Sequence, residues 1–219
     1  MEIKGFVKEN YDIIILAGQS NAHGCGLGET TQPWRIDERI NMLQGSFQAE
    51  IATTEYGNEY LDIKLFDDYR IEPADERIEE ENRFAVLALP FAREYADKYL
   101  KKGRKVLIVQ AAIGGTGFAK HHWGENEILF NRMMEMISSS LALNKENRIV
   151  AFLWHQGEHD AFENADWDNE KRNREHEKNL RRFMDCVEER FGQIPFICAG
   201  FSKSWVESYP QETEAVCVR

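Results

Sequence analysis

Apolar positions along the chain alternate between short continuous runs and helically spaced faces. Asp12 to Ala17 (DIIILA) is a β-branched run ended by Gly18, the pattern of a strand buried on both sides in a parallel sheet. Pro90 is expected to open a helix running to about Lys102, with Gly103 as its left-handed cap. Lys105 to Ala112 (KVLIVQAA) reads as the next strand. Leu129, Met133, Met136 and Ile137 recur at the spacing of one helix face, and Ile149 to Trp154 (IVAFLW) follows as a third strand. Leu180, Phe183, Met184, Val187 and Phe191 mark a third helix, followed by Pro195 to Ala199 as a fourth strand. This β-α-β-α-β-α-β order predicts an α/β fold, a three-layer α/β/α sandwich around a central parallel sheet with right-handed crossovers. Cys25 to Arg83 lacks such a pattern and is expected to form an irregular insert over one rim of that sheet.

In sheets of this kind chemistry collects beyond the carboxyl ends of the strands. The first three strands are followed by Gly18-Gln19-Ser20-Asn21, Ile113-Gly114-Gly115-Thr116 and His155-Gln156-Gly157-Glu158, three small or polar clusters expected to meet at one edge. Ser20 would project its hydroxyl there, with its own N–H at a helix start; alternatively Ser20 or Asn21 simply caps that helix. Gly114 and Gly115 let backbone amides approach a ligand as an oxyanion site requires, or form a tight turn. Gln156 can aim a neutral amide donor at a developing oxyanion, while Glu158 and Asp160 suit the role of acceptors that hold the loop.

Composition narrows the function. The 219 residues are 42% hydrophobic and 30% charged, enough apolar material for one folded domain. The net charge of −11 opposes binding to a phosphate backbone, so nucleic acid is not expected as a partner. More than half of that charge falls between Asp67 and Asn82, a stretch that reads as a solvated surface loop. Neither an export signal nor a membrane span is apparent, and Cys25, Cys186, Cys198 and Cys217 lie far apart with no C-x-x-C pair. A cytoplasmic setting is the expectation. The segment Gly114 to Lys120 lacks the spacing of a phosphate loop, and Gly24, Gly26 and Gly28 fail the dinucleotide pattern, so nucleotide binding is disfavoured.

Taken together, Gly18-Gln19-Ser20-Asn21, Ala112-Ile113-Gly114-Gly115-Thr116 and Trp154-His155-Gln156-Gly157-Glu158-His159-Asp160 resemble the three successive blocks of the SGNH-hydrolase carbohydrate esterases, of the sialic-acid-specific acetylesterase and acetylxylan esterase type. The resemblance runs from about Asp12 to Ala199 and is poor across Cys25 to Arg83. It implies an SGNH-hydrolase (flavodoxin-like) topology and a serine esterase that removes O-acetyl groups from a sugar without metal or organic cofactor. Ser20 would attack the acetyl carbonyl, and the amides of Ser20 and Gly115 with the Gln156 side chain would hold the oxyanion. Gln19, Asn21, Gly114, Thr116, His122 and Glu158 would line the substrate. Two departures stand out. His159 occupies a position where the family carries a small hydroxyl residue, and no Asp or Glu stands three residues before any of the six histidines, so the family's C-terminal Asp-x-x-His block is missing. The chain is therefore expected to be a C-terminally shortened member with weak or no activity.

Two other readings compete. His155-Gln156-Gly157-Glu158-His159 matches H-x-x-E-H, which would bind zinc through His155 and His159 only if a helix placed both on one face. A non-catalytic carbohydrate-binding remnant would instead use Trp34, Phe118 and Trp123 as stacking faces; in either reading His121 and His122, beside Trp123, line a sugar pocket or simply cover it rather than act as a base.

Overall fold

The computed structural model describes residues 1–24, 34–79, 82–163 and 166–216. Its elements are β1 (Ile3–Gly5), β2 (Tyr11–Gly18), the four-residue helix α1 (Ser20–His23), β3 (Ile40–Thr53), β4 (Glu59–Pro73), β5 (Arg77–Glu79), β6 (Asn82–Phe84), α2 (Ala88–Lys98) and β7 (Lys105–Gln110). They continue with α3 (Ile128–Ala142), β8 (Arg148–His155), a single 3-10 turn at Asp160–Phe162, α4 (Asn169–Phe191), β9 (Phe196–Cys198), α5 (Lys203–Ser208) and α6 (Pro210–Val216). Seven strands form one sheet in the order β1-β4-β3-β7-β2-β8-β9, parallel except where β3 and β4 run antiparallel.

The β-branched run of β2 lies at the centre of this sheet because it can bury both faces. Tyr11, Ile13, Ile15 and Ala17 point into a core shared with Met133, Met136 and Ile137 of α3 and Phe183 of α4. Ile14 and Leu16 point the other way, against Ala88, Leu89, Ala92 and Ala96 of α2. The period of two along β2 thus separates the two helical layers. At the amino end of the same strand Asp12 is fully buried. It accepts Tyr95 Oη at 2.7 Å, Arg104 Nε at 2.8 Å and Arg148 Nε at 2.7 Å. One carboxylate there joins β2 to α2, to the start of β7 and to the start of β8, at the end of the sheet remote from the candidate site.

Several expectations need correction. Within the segment from Cys25 to Arg83, residues 25–33 (with Cys25, Gly26 and Gly28), 80 and 81 lie outside the described residues, and most of what is described is regular strand. The segment contains the long β3–β4 hairpin, paired from Asn41↔Pro73 to Thr53↔Glu59. Phe47↔Leu65, Ala49↔Ile63 and Ile51↔Leu61 place apolar residues on one face, while Gln48↔Lys64 and Glu50↔Asp62 place polar ones on the other. The acidic stretch read as a solvated loop supplies the second half of β4 and all of β5. Helix α2 begins two residues before Pro90, which is tolerated in a first turn, and ends at Lys98. Gly103, with φ of +82°, belongs to the separate turn into β7 and is not the cap of α2. Helix α4 starts at Asn169, far earlier than its apolar face indicates, because Asp168 caps it by accepting the Lys171 N–H at 2.7 Å. Among the described residues no helix is long and apolar enough to cross a membrane, and the described cysteines, Cys186 and Cys198, are unpaired.

Removing the Asp12 carboxylate leaves two guanidinium groups facing one another without compensation. Asp12→Ala is expected to lower stability by about 3 kcal/mol, the lower end for a broken buried pair because Arg148 is half-exposed. Urea denaturation of parent and variant measures this, and a change below about 1 kcal/mol would contradict the clamp.

Candidate active site

The three polar clusters follow β2, β7 and β8, which are neighbours in the sheet, and hydrogen bonds sew them together. Gly18 O accepts the Ile113 N–H at 3.1 Å, and the Gln19 N–H donates to His155 O at 3.0 Å. Gly18 has φ of +130°, and a Cβ built on it would stand 2.0 Å from His155 O. Glycine is therefore required where the chain leaves β2, both for its dihedral and for the close approach to β8. The turn it permits brings Ser20 to the start of α1. Ser20 is half-buried, and among the described residues its hydroxyl forms no hydrogen bond.

The second and third clusters are joined by one carboxylate. Asp160, 7% exposed, accepts Phe118 N–H at 3.2 Å, Ala119 N–H at 3.0 Å, Gln156 Nε2 at 3.0 Å and His176 Nδ1 at 3.1 Å. Burial by itself would drive this carboxyl upward, but the hydrogen bonds from His176, Ala119 and Gln156 outweigh it and hold Asp160 below the ordinary carboxylate value. Its aspartate side chain also fills the space beside Gly117, where a Cβ would lie 2.1 Å from Asp160 Oδ1.

The expected substrate residues have varied surroundings. Thr116 is fully buried and braces the loop, donating to Ile113 O at 2.7 Å and accepting Trp123 Nε1 at 2.9 Å. Gln19 is buried and accepts the His159 N–H at 3.2 Å, and His122 is buried with Nδ1 accepting the Gly117 N–H at 3.3 Å. The side chains of these three residues are occupied within the protein. Asn21 is exposed and donates to Glu158 Oε1 at 2.6 Å, while Glu158 Oε2 is buried with no partner. Gly114 and Gly115 are half-exposed, and a Cβ on Gly115 would meet Leu61 Cδ2 at 3.4 Å. Gln156 is buried. Its nitrogen donates to Asp160 and makes a longer 3.4 Å contact with Thr116 O, and its oxygen is unpartnered.

Sequence reasoning missed the wall opposite these clusters. The apolar face of the β3–β4 hairpin sets Phe47 5.4 Å from the His23 ring and Leu61 over Gly115. A cavity of about 240 Å³ lies between Ile51, Tyr60 and Leu61 of the hairpin and Gly115, Lys120 and His159. The alternation of apolar residues along Phe47 to Ile51 and Leu61 to Leu65 was the available signal.

Among the described residues no hydrogen bond joins any of the six histidines to the Ser20 hydroxyl. His23 is half-buried and His122 buried, and both are pushed down to about 4, chiefly by desolvation. His155 is also lowered by burial, against the opposing pull of Glu158, 3.4 Å away. His159 and His121 stand beside Glu163 and Glu127, and His176 is bonded to Asp160. Both competing readings lose a premise on this geometry. His155 closes strand β8, and Gly157, at φ of +143°, turns the chain before the 3-10 turn, so His155 and His159 do not share a helix face as a zinc site would require. Trp123 is fully buried and Phe118 nearly so, with edge contacts to Trp154 and Phe183, and Arg93 covers the Trp34 ring at 3.7 Å. These aromatics are not open sugar platforms.

A family model described as carbohydrate esterase, sialic acid-specific acetylesterase (SASA) matches residues 10–217. The chain belongs to this family. The match takes in both the β3–β4 hairpin and the C-terminal helices, where the blocks alone gave no resemblance. Among solved structures, the chain is similar to NanS, with a TM-score of 0.65 and 20% identity over 95% of this chain and 73% of that one. A protein from Arabidopsis thaliana gives 0.62 and 18%, covering 94% and 80%. XAC1771, a carbohydrate acetylesterase from Xanthomonas citri, gives 0.52 and 15%, covering 93% and 46%. These likenesses show a shared α/β fold. No curated protein matches the sequence.

The depressed Asp160 carboxyl has a consequence for stability. A group whose folded value lies below its unfolded one stabilises the fold above the unfolded value, and that contribution is lost as pH falls through the folded one. Asp160→Asn is expected to cost about 3 kcal/mol at neutral pH. The difference from the parent should shrink below about pH 4, where the unfolded carboxylate begins to protonate. Denaturation midpoints measured from pH 7 to 2 test this; a gap that stays constant would contradict it.

Proposed function

We propose that this chain acts as a serine-type esterase on O-acetylated carbohydrate, with Ser20 as nucleophile and the amides of Ser20 and Gly115 with the Gln156 side chain as oxyanion site. The observation that carries this reading is the junction of three strand ends, where an unbonded hydroxyl, a glycine peptide and an anchored carboxamide belong to segments hydrogen-bonded to one another. Family membership supplies the reaction class, and the XAC1771 likeness is consistent with it.

In the proposed reaction Ser20 Oγ attacks the acetyl carbonyl carbon, its proton passing to solvent water, as the carbonyl oxygen becomes negative. That oxygen accepts the Ser20 and Gly115 N–H groups and one hydrogen of Gln156 Nε2. The carboxamide has two hydrogens: one is committed to Asp160, and the other has only the 3.4 Å contact to Thr116 O to give up. Collapse expels the sugar oxygen, which takes a proton, and water then cleaves acetyl-Ser20 to acetate. Asn21 and Glu158, at the mouth of the first and third clusters, would contact the sugar. Leu61 and Tyr60 of the hairpin would cover its acetyl side across the 240 Å³ cavity.

The proton on Ser20 has no triad base to receive it. Among the described residues no histidine is hydrogen-bonded to Ser20, and the 219 residues contain no Asp-x-x-His pair to supply a base. A serine protease stripped of a triad member retains only ~10³ to 10⁴-fold acceleration over water, and activity of that residual order is proposed for this polypeptide.

Hydrolysis of 4-nitrophenyl acetate by parent and Ser20→Ala decides the nucleophile. The parent is expected to turn over slowly and to carry an acetyl group on Ser20 by mass spectrometry, with the variant at least about 10-fold slower. Equal rates and no acetyl adduct would refute the assignment.

A further inference from the structure

We propose that His176 is a positioning residue for the oxyanion site: acting through Asp160, it fixes which end of the Gln156 carboxamide is presented as donor. The inference rests on the reading of Gln156 as an oxyanion donor and extends it to a residue on α4, outside the three clusters.

A carboxamide is nearly symmetric in shape, so packing alone does not distinguish its oxygen from its nitrogen. Chemistry does, through whatever lies opposite. Opposite Gln156 lies Asp160 Oδ2, which accepts Gln156 Nε2 at 3.0 Å. An ionised carboxylate only accepts, so Nε2 must face it. A protonated carboxyl carries an O–H that would donate equally well to Oε1, and the amide would lose its reason to point one way. The donor function of Gln156 therefore depends on Asp160 remaining an acceptor at this one oxygen.

His176 meets that requirement. Its Nδ1 lies 3.1 Å from the same Oδ2, occupying the site a proton would otherwise take. Since the carboxylate accepts, Nδ1 carries the hydrogen. His176 is 5% exposed and held edge-on to Phe118 at 5.7 Å between ring centroids, so its imidazole has little freedom to turn away. The remaining donors, the Phe118 and Ala119 N–H groups, are backbone and fix the loop that follows Gly115. One histidine thus completes a carboxylate that holds both the glycine loop and the carboxamide.

The test follows the Gln156 side-chain amide by NMR, its signals identified by their disappearance in Gln156→Ala. In the parent the pair is expected to be sharp and slow to exchange with solvent. His176→Asn, whose amide nitrogen overlays Nδ1, should retain that pattern. His176→Phe should shift the signals and speed their exchange. His176→Gln, whose nitrogen reaches the position of Nε2 and not of Nδ1, should do the same while keeping a polar side chain of similar size should the Phe variant fail to fold. Ser20-dependent turnover of 4-nitrophenyl acetate should follow the same order, with kcat lower by about 10²-fold in the Phe and Gln variants and KM little changed. An unaltered Gln156 signal in a folded Phe or Gln variant would overturn the inference, whatever the activity. A responsive signal accompanied by unchanged Ser20-dependent turnover in Gln156→Ala would instead remove the catalytic role of Gln156 and leave only the structural coupling.

Discussion

A charge buried in protein must be surrounded by donors, and the surroundings of Asp160 are what assemble the candidate site. Four donors converge on it from the loop after β7, from the end of β8 and from α4. None of these segments is adjacent to all the others in sequence, so the carboxylate sets their relative placement. The same requirement determines that Gln156 directs its nitrogen, not its oxygen, toward the loop. Backbone hydrogen bonds between parallel strands bring the three clusters to one edge of the sheet; the Asp160 cluster orients the groups within that edge.

The sheet carries a second such charge at its other end. Asp12 joins β2 to the starts of β7 and β8, and Asp160 joins the segments that follow the ends of those two strands. Between them the β2 run fills both helical layers with β-branched side chains. The amino-end cluster touches nothing at the site and is purely structural in its contacts. Because of Gly18, the chain can leave β2 within a van der Waals distance of β8 and still turn Ser20 into the open. Any side chain at that position would strike the His155 carbonyl.

The fold was legible where burial is two-sided. DIIILA, KVLIVQ and IVAFLW are continuous apolar runs and all became central strands, and the polar residues just after them became the candidate site. What escaped was one-sided or local. Beyond its first four residues β3 is largely exposed, so its alternation is diluted by polar positions and by the irregularity between Gly45 and Phe47. The first turns of α4, rich in Lys, Arg and Glu, show no apolar face and are specified by the Asp168 cap. His176 sits in that polar stretch, and nothing in its neighbours announces a partner 16 residues upstream. Aromatic residues are ambiguous for the converse reason: Trp123 and Phe118 lie beside glycine-rich segments, where a stacking face is conceivable, yet pack inward, since large rings contribute most when buried.

The central claim is that Ser20, Gly115 and Gln156 surround one oxygen while Asp160 holds the carboxamide. A crystal structure of the chain with a small alkylboronic acid, which forms a tetrahedral adduct on a serine hydroxyl, measures it most directly. Boron is expected on Ser20 Oγ, with one boronate oxygen within about 2.7–3.1 Å of Ser20 N, Gly115 N and Gln156 Nε2 and the Gln156–Asp160 bond intact. An adduct whose oxygens meet neither Gly115 nor Gln156, or a Gln156 nitrogen lying on the far side of Thr116 from Ser20, would contradict it.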